Sequence, residues 1–268
     1  MFGKRLVSGV ILLIITIGVV ACGGSVLLAV VSLISLIGLF ELYRVLKMEF
    51  SPLAFAGYVI SLLLDGCIAY GEKEWALYII AGGLLVQLMI YVLCYPKYRS
   101  EHITMAFFGI IYVSGLLSYI YQVRTLEDGA LIVWLIFTGA WGSDTCAYCV
   151  GNLFGKHKLP SKLATLSPHK SLEGCVGGIV GAALIGAVYA YFVRANLTGI
   201  ENPVLAFAVI GAFASVLSQF GDLTASAIKR NHNMKDYGTL IPGHGGILDR
   251  FDSILFTAPL VYMLAILF

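Results

Sequence analysis

What most limits this chain is a succession of apolar runs close to twenty residues long, each starting almost where the previous one ends. A helix of about 20 residues crosses the roughly 30 Å hydrocarbon core of a bilayer. Inside that core only a helix or a closed barrel satisfies its own backbone hydrogen bonds. The runs are helix-length, so the expected fold is an all-α, polytopic membrane protein. Composition agrees, with 59% hydrophobic and 12% charged residues, where a soluble domain carries about a quarter charged. About nine transmembrane helices are expected, near residues 5–22, 25–46, 53–70, 76–95, 103–121, 130–151, 174–193, 203–229 and 247–268. Gly23-Gly24, Ser51-Pro52, Pro96, and Gly199 with Pro203 punctuate the joins. No internal repeat is visible, and residues 1–268 read as a single integral membrane domain.

Lys4 and Arg5 ahead of an apolar run imitate a signal peptide, but the next run follows at once, so a first spanning helix is expected. The cysteines are scattered through apolar runs and read as small buried hydrophobes. Cys146 and Cys149 form a CxxC, with no second pair or thioredoxin-like context to make it a metal or redox site. Fourteen of the 17 Lys and Arg residues fall on one side of the nine-helix arrangement, and only Lys73, Arg124 and Arg194 on the other. Cytoplasmic loops carry the basic excess. The expected location is therefore the cell membrane, multi-pass, with the N-terminus and the two richest basic loops cytoplasmic and the C-terminus outside.

An ionisable residue inside a spanning helix costs roughly 2.5–3.5 kcal/mol on insertion scales, so each calls for a reason. In the sixth helix Trp141, Asp144, Thr145, Tyr148, Gly151, Asn152 and Gly155 recur at spacings of three and four, which puts them on one face. In the eighth, Ser215, Ser218, Asp222, Ser226 and Lys229 do the same. Small polar residues can be helix-packing glue, a sufficient reading for Ser215 and Ser218 but not for Asp222. Asp65 is a lone acid of the third helix with no assigned role. At the start of the last helix, Asp252 reads equally as an N-cap, while Asp249, beside a flexible Gly-Gly, is the better candidate ligand.

Three acids (Asp144, Asp222, Asp249) and five cations (Lys170, Lys229, Arg230, Lys235, Arg250) thus gather near the cytoplasmic ends of a few helices, together with the glycine-rich turn "PGHGG" at 242–246. Carboxylates meeting in a low-dielectric site repel unless a divalent cation joins them. Mg²⁺ takes one or two carboxylates plus substrate phosphates, Lys and Arg donate to phosphate oxygens, and glycine backbone approaches phosphate closely. The sum points to a Mg²⁺–polyphosphate site and to phosphoryl or nucleotidyl transfer. His244 stays open between general base, metal ligand, phosphate donor and brace of the loop. His157 and His169 read as solvated or phosphate-facing.

The stretch "SAIKRNHNMKDYGTLIPGHGGILDRFD" (226–252) resembles the signature of the phosphatidate cytidylyltransferases, or CDP-diacylglycerol synthases. The matching positions are Ser226, Lys229, Arg230, Lys235, Asp236, Pro242, His244, Gly245, Gly246, Asp249, Arg250 and Asp252. "GDLTAS" (221–226), "SDTCAYCVGNLFGKHKL" (143–159) and "LSPHKSLEG" (166–174) also resemble family segments, with His169 and Ser171 where the family more often has Lys and Thr. The resemblance covers about residues 140–256, the expected catalytic region, and leaves the helices of 1–125 without an assigned role. It implies transfer of CMP from CTP to phosphatidic acid, giving CDP-diacylglycerol and pyrophosphate. It also implies a requirement for Mg²⁺, a second, monovalent cation such as K⁺, and a homodimer. Carried over by motif position, Asp222 and Asp249 are the metal pair. Lys229, Arg230 and His244 join them as catalytic candidates. Asp144, Lys170, Ser226, Lys235, Arg250, Gly245 and Gly246 are the substrate-binding candidates. The expected partners are CTP, phosphatidic acid and membrane lipid, with no nucleic acid.

Three rivals fit less well. A CTP-dependent polyprenol or phytol kinase would need a base for its alcohol substrate, and the complete 226–252 pattern argues against it. A CDP-alcohol phosphotransferase should show a DGxxAR stretch, which is absent. An ion-coupled transporter usually shows repeated halves with broken helices near the midplane, whereas these polar residues crowd toward one side and one half.

Overall fold

The structure, a computed structural model, describes residues 2–168 and 170–268; His169 lies outside the described residues. Among those residues every extended element is a helix, and β structure is limited to two isolated bridges, Lys158–Ser171 and Ile241–Gly245. In chain order the long helices are α1 (Phe2–Cys22), α2 (Gly24–Arg44), α3 (Pro52–Ala69) and α4 (Lys73–Leu93). They continue with α5 (Ser100–Arg124), α6 (Gly129–Phe154), α7 (Leu172–Val193), α8 (Pro203–Asn231) and α9 (Leu248–Ala265).

Each of the nine expected segments is therefore helical, but among the described residues seven helices, α2 to α8, are long and apolar enough to cross a membrane. The apolar part of α1 among the described residues is the shorter stretch Val7–Cys22. The helix α9 is 18 residues long and carries Asp249, Arg250 and Asp252 in its first turns, so its apolar part is the shorter stretch that follows them. The spans present large apolar side chains outward, among them Leu77, Leu93, Phe192 and Leu205. Water would not tolerate so much exposed apolar surface, and lipid does.

Local chemistry sets several helix starts. The Ser51 side chain accepts from Ala54 N at 3.1 Å and Pro52 fills the first helical position, where its missing N–H costs nothing. Ser171 caps α7 by accepting from Gly174 N at 3.1 Å. Two spans widen into π-helical turns, Ile110–Gly115 in α5 and Thr138–Gly142 in α6. Such turns favour functional positions, and the second ends just before Asp144.

The chain divides into two compact units: residues up to Tyr121 with Asp236–Arg250, and Gln122–Lys235 with Phe251–Phe268. In the first, fully buried Tyr43 of α2 anchors the packing. Its hydroxyl donates to Ala106 O at 2.7 Å, and Gly57 and Gly109 leave room for its ring. Ser61 and Ser114 share a buried hydrogen bond of 2.6 Å. Asp65 lies buried near the end of α3.

In the second unit α6, α7 and α8 meet through small residues. A Cβ at Gly178 would come within 3.2 Å of Ala147 Cβ in α6, and one at Gly181 within 2.5 Å of Cys146. On the neighbouring helix a Cβ at Gly211 would stand 2.5 Å from Ala182 O. Between membrane helices this close approach supplies the dispersion contact that hydrophobic burial cannot, since lipid is as apolar as the side chains. Cys146 is accounted for by this packing. The same unit holds the remainder of α9, where Thr257 Oγ1 donates to Ile136 O at 3.3 Å.

Candidate active site

In the second unit the polar stripes of α6 and α8 do what their spacing suggested. Ser215 of α8 and Ser143 of α6 share a buried 2.6 Å hydrogen bond, which is the packing role read for Ser215. One turn on, Gln219 Nε2 donates to Cys175 O of α7 at 3.1 Å and fixes the rotation of α8. Asp222 follows, and its Oδ2 meets Lys170 Nζ at 2.5 Å. Both side chains are only about a quarter to a third exposed, at 24% and 31%.

Lys170 reaches that position because the residues that follow it are tied down. Ser171 caps α7, and Leu172 N donates to His157 O at 2.9 Å. His157 Nδ1 pairs with Glu173 Oε1 at 2.6 Å, so this histidine is exposed yet engaged with a carboxylate. Asp144 and Tyr148 of α6, Lys170, Ser171, Gln219 and Asp222 line one cavity of about 270 Å³. Farther along α8, Ser226 is half-buried and Lys229 is buried. Arg230 is exposed, with Nη1 donating to Met234 O at 3.3 Å, and Lys235 is exposed.

In the first unit the "PGHGG" stretch is a tight turn closed by Ile241 N to Gly245 O at 2.8 Å and His244 N to Ile241 O at 2.9 Å. Gly243 and Gly245 take φ of +79° and +85°, a region a side chain disfavours, so glycine is required there. Asp249 Oδ2 accepts from Tyr237 N at 2.8 Å and from Gly246 N at 2.9 Å, which ties the turn to the start of α9. His244 Nδ1 lies 2.8 Å from Ser8 Oγ of α1, and that hydroxyl also donates to Pro242 O at 3.2 Å. This contact fits the brace among the roles left open for His244. Arg250 is half-buried with Nε enclosed and unpartnered among the described residues.

The structure thus groups Asp144, Lys170 and Asp222 in one unit, and His244, Gly245, Gly246, Asp249 and Arg250 in the other. One expectation is corrected. Asp252 is not an N-cap, because α9 already begins at Leu248 and places Asp252 in its second turn. There it is buried and accepts from Ser253 N at 2.7 Å. A Cβ at Gly221 of α8 would stand 2.6 Å from Asp252 O, so α8 and this part of α9 touch backbone to backbone beside Asp222.

The sequence matches the cytidylyltransferase family over residues 3–268. The chain belongs to that family. It is 32% identical over 269 residues to the phosphatidate cytidylyltransferase of Staphylococcus haemolyticus, with 98% of each chain covered. It is 31% identical to the same-named protein of Bacillus subtilis over 271 residues, 99% of this chain and 98% of that one. The phosphatidate cytidylyltransferase of Synechocystis is also 31% identical, over 98% of this chain and 96% of its own. The match runs well past residues 140–256, so the helices before residue 125 are part of what this cytidylyltransferase-family chain shares with its relatives.

Two residues of those helices were missed. Ser8 was invisible because a serine near the start of an apolar run carries no signal. Glu41 was visible, as an acid inside a spanning helix. Its two carboxylate oxygens accept from Ile247 N at 3.0 Å and Leu248 N at 2.8 Å, and it is buried, 4% exposed.

The family resemblance implies a divalent cation, and the acids present fit one of a particular kind. Among the described residues no group of three or more His, Cys, Asp or Glu is gathered that could hold a metal. A cation caged by protein alone, as structural Zn²⁺ is, has no donor set there. Mg²⁺ needs only one or two carboxylates and takes its other oxygens from water and phosphate.

Proposed function

We propose that this chain is a phosphatidate cytidylyltransferase, which transfers CMP from CTP to phosphatidic acid and releases pyrophosphate, in phospholipid biosynthesis. The observation that carries the reading is the Lys170–Asp222 pair, set with Asp144 around one cavity in a chain similar over nearly its whole length to proteins of that name. The apolar helices keep the enzyme in the bilayer, where its lipid substrate resides.

In the reaction an oxygen of the lipid phosphate attacks the α-phosphorus of CTP. The bond from that phosphorus to the oxygen bridging to the β-phosphate breaks, and pyrophosphate leaves with the electron pair. The second pKa of a phosphate monoester is near 6, so the nucleophile is largely dianionic at pH 7 and needs no base. The work is charge neutralisation and alignment. Lys170, Lys229, Arg230, Lys235 and Arg250 are assigned as donors to phosphate oxygens, and the enclosed Arg250 Nε has no competing partner among the described residues. Gly245, Gly246 and the imidazole of His244 are assigned to the substrate side on the strength of their motif positions. We assign the cofactor as Mg²⁺, held by Asp222 and Asp249 on the strength of their motif positions, with Asp144 and Ser226 toward substrate. When bound it would polarise phosphate oxygens and offset developing charge.

The basic-loop count supports a cytoplasmic active site and N-terminus, with the C-terminus outside. The family resemblance supports a homodimer and a second cation such as K⁺. The direct test supplies purified protein in detergent with labelled CTP and phosphatidic acid, with and without Mg²⁺. Labelled CDP-diacylglycerol and stoichiometric pyrophosphate are expected only with Mg²⁺. Label passing instead from the γ-phosphate of CTP to a polyprenol would make the chain a lipid kinase and overturn the proposal.

A further inference from the structure

We infer that Glu41 is a positioning residue for the reaction: from α2 it holds the glycine turn and the first turn of α9, so that Asp249 is kept for its own role. The inference rests on the reading of Asp249 given above. Glu41, the turn and Asp249 all belong to the first unit.

A helix leaves its first N–H groups without intrahelical partners. At the start of α9, Ile247 N and Leu248 N go to the two oxygens of Glu41, one each. The N–H groups of Tyr237 and Gly246 go to Asp249 Oδ2. Two carboxylates thus divide four backbone donors between them. Asp249 is the second residue of α9, where an acid side chain is the nearest acceptor for unpaired donors of its own helix end. Glu41, supplied from another helix, takes two of these four donors.

The turn is shaped around this carboxylate. A Cβ at Gly238 or at Gly246 would collide with Glu41 Oε1. Packing alone does not explain an acid here, since an ionisable side chain buried in a spanning helix is costly and an apolar side chain of that size would fill the space for less. What an apolar residue cannot supply is two acceptors for two buried donors.

The test compares wild type, Glu41→Gln and Gly238→Ala as full-length protein in detergent. Glutamine keeps the size but sets an NH₂ donor against one of the two N–H groups. Alanine at 238 leaves Glu41 in place and drives its carboxylate off the turn. Both variants should lower kcat for CDP-diacylglycerol synthesis about 10- to 100-fold, the scale of a 1 Å misplacement, with KM for CTP within about threefold of wild type. Both should also speed backbone hydrogen exchange in the peptide covering 236–250 roughly tenfold, with exchange in α7 and α8 unchanged. If Glu41→Gln does not fold, Gly238→Ala alone decides. A kcat within twofold of wild type, or unchanged exchange at 236–250, in either folded variant overturns the inference. Should wild type make no CDP-diacylglycerol while the variants still speed exchange, the bracing stands and the proposed reaction fails.

Discussion

At the scale of single residues, the Lys170–Asp222 contact is the feature most open to attack. Both partners are only partly exposed, so the pair is worth more than a fully solvated one, whose value is near 0–1 kcal/mol. In the proposed reaction its larger importance is catalytic. An ammonium aimed at transferring phosphates should contribute most in the transition state. Lys170→Met is therefore expected to lower kcat/KM about 10²- to 10³-fold, the cost of removing one preorganised donor. Lys170→Arg keeps the charge on a bulkier, planar head and should fall between. A steady-state assay with varied CTP checks both, and a Lys170→Met enzyme within fivefold of wild type would remove this residue from the site. Lys170 and Asp222 were each singled out from the sequence. Their contact was not, because 52 positions separate them and the loop tie between Leu172 and His157 decides where the lysine goes.

Among the helices, glycine sets how close two backbones come. At Gly211 the obstacle to a side chain is a carbonyl oxygen of α7, 2.5 Å from the Cβ position, and backbone does not yield as a flexible side chain would. Gly211→Ala should destabilise the protein by about 1–3 kcal/mol, the usual cost of overpacking. Gly18→Ala in α1 meets nothing within 4 Å and should be neutral or slightly stabilising, since alanine is the better helix former by roughly 1 kcal/mol. Thermal unfolding in the same detergent checks the pair, with a lower Tm expected only for the first. Equal Tm values would mean that α7 and α8 are not in backbone contact at that point. The sequence pattern marked these helices as apolar and small-residue rich. Which glycine faces which neighbour depends on helix rotation, and that is set by contacts such as Gln219 to Cys175.

For the molecule as a whole, the charge asymmetry makes a prediction about sidedness. In a background lacking the native cysteines, Lys158→Cys and Lys235→Cys should react with an impermeant thiol reagent only from the cytoplasmic side. Thr198→Cys should react only from outside. All three positions lie in connections between long helices, 158 and 198 at opposite ends of α7. Labelling of 158 and 198 from the same face would mean that α7 does not span.

The sequence by itself determined the all-α membrane architecture, because a bilayer admits few solutions for apolar runs of this length and each run declares its own helix. It also marked the two acid-bearing stripes on α6 and α8, since a helical period of 3.6 turns sequence spacing directly into a face. It pointed to the glycine turn as well, where φ values of +79° and +85° leave little choice of residue. Only the tertiary structure decided what Glu41 does. Its partners lie more than two hundred positions away, and no local rule connects a carboxylate in α2 to the first N–H groups of α9. The same holds for Ser8 with His244. Hydrogen bonds to backbone groups far away in sequence, unlike local caps, leave no pattern in side-chain identity, so contacts of that kind become legible only when the chain is folded.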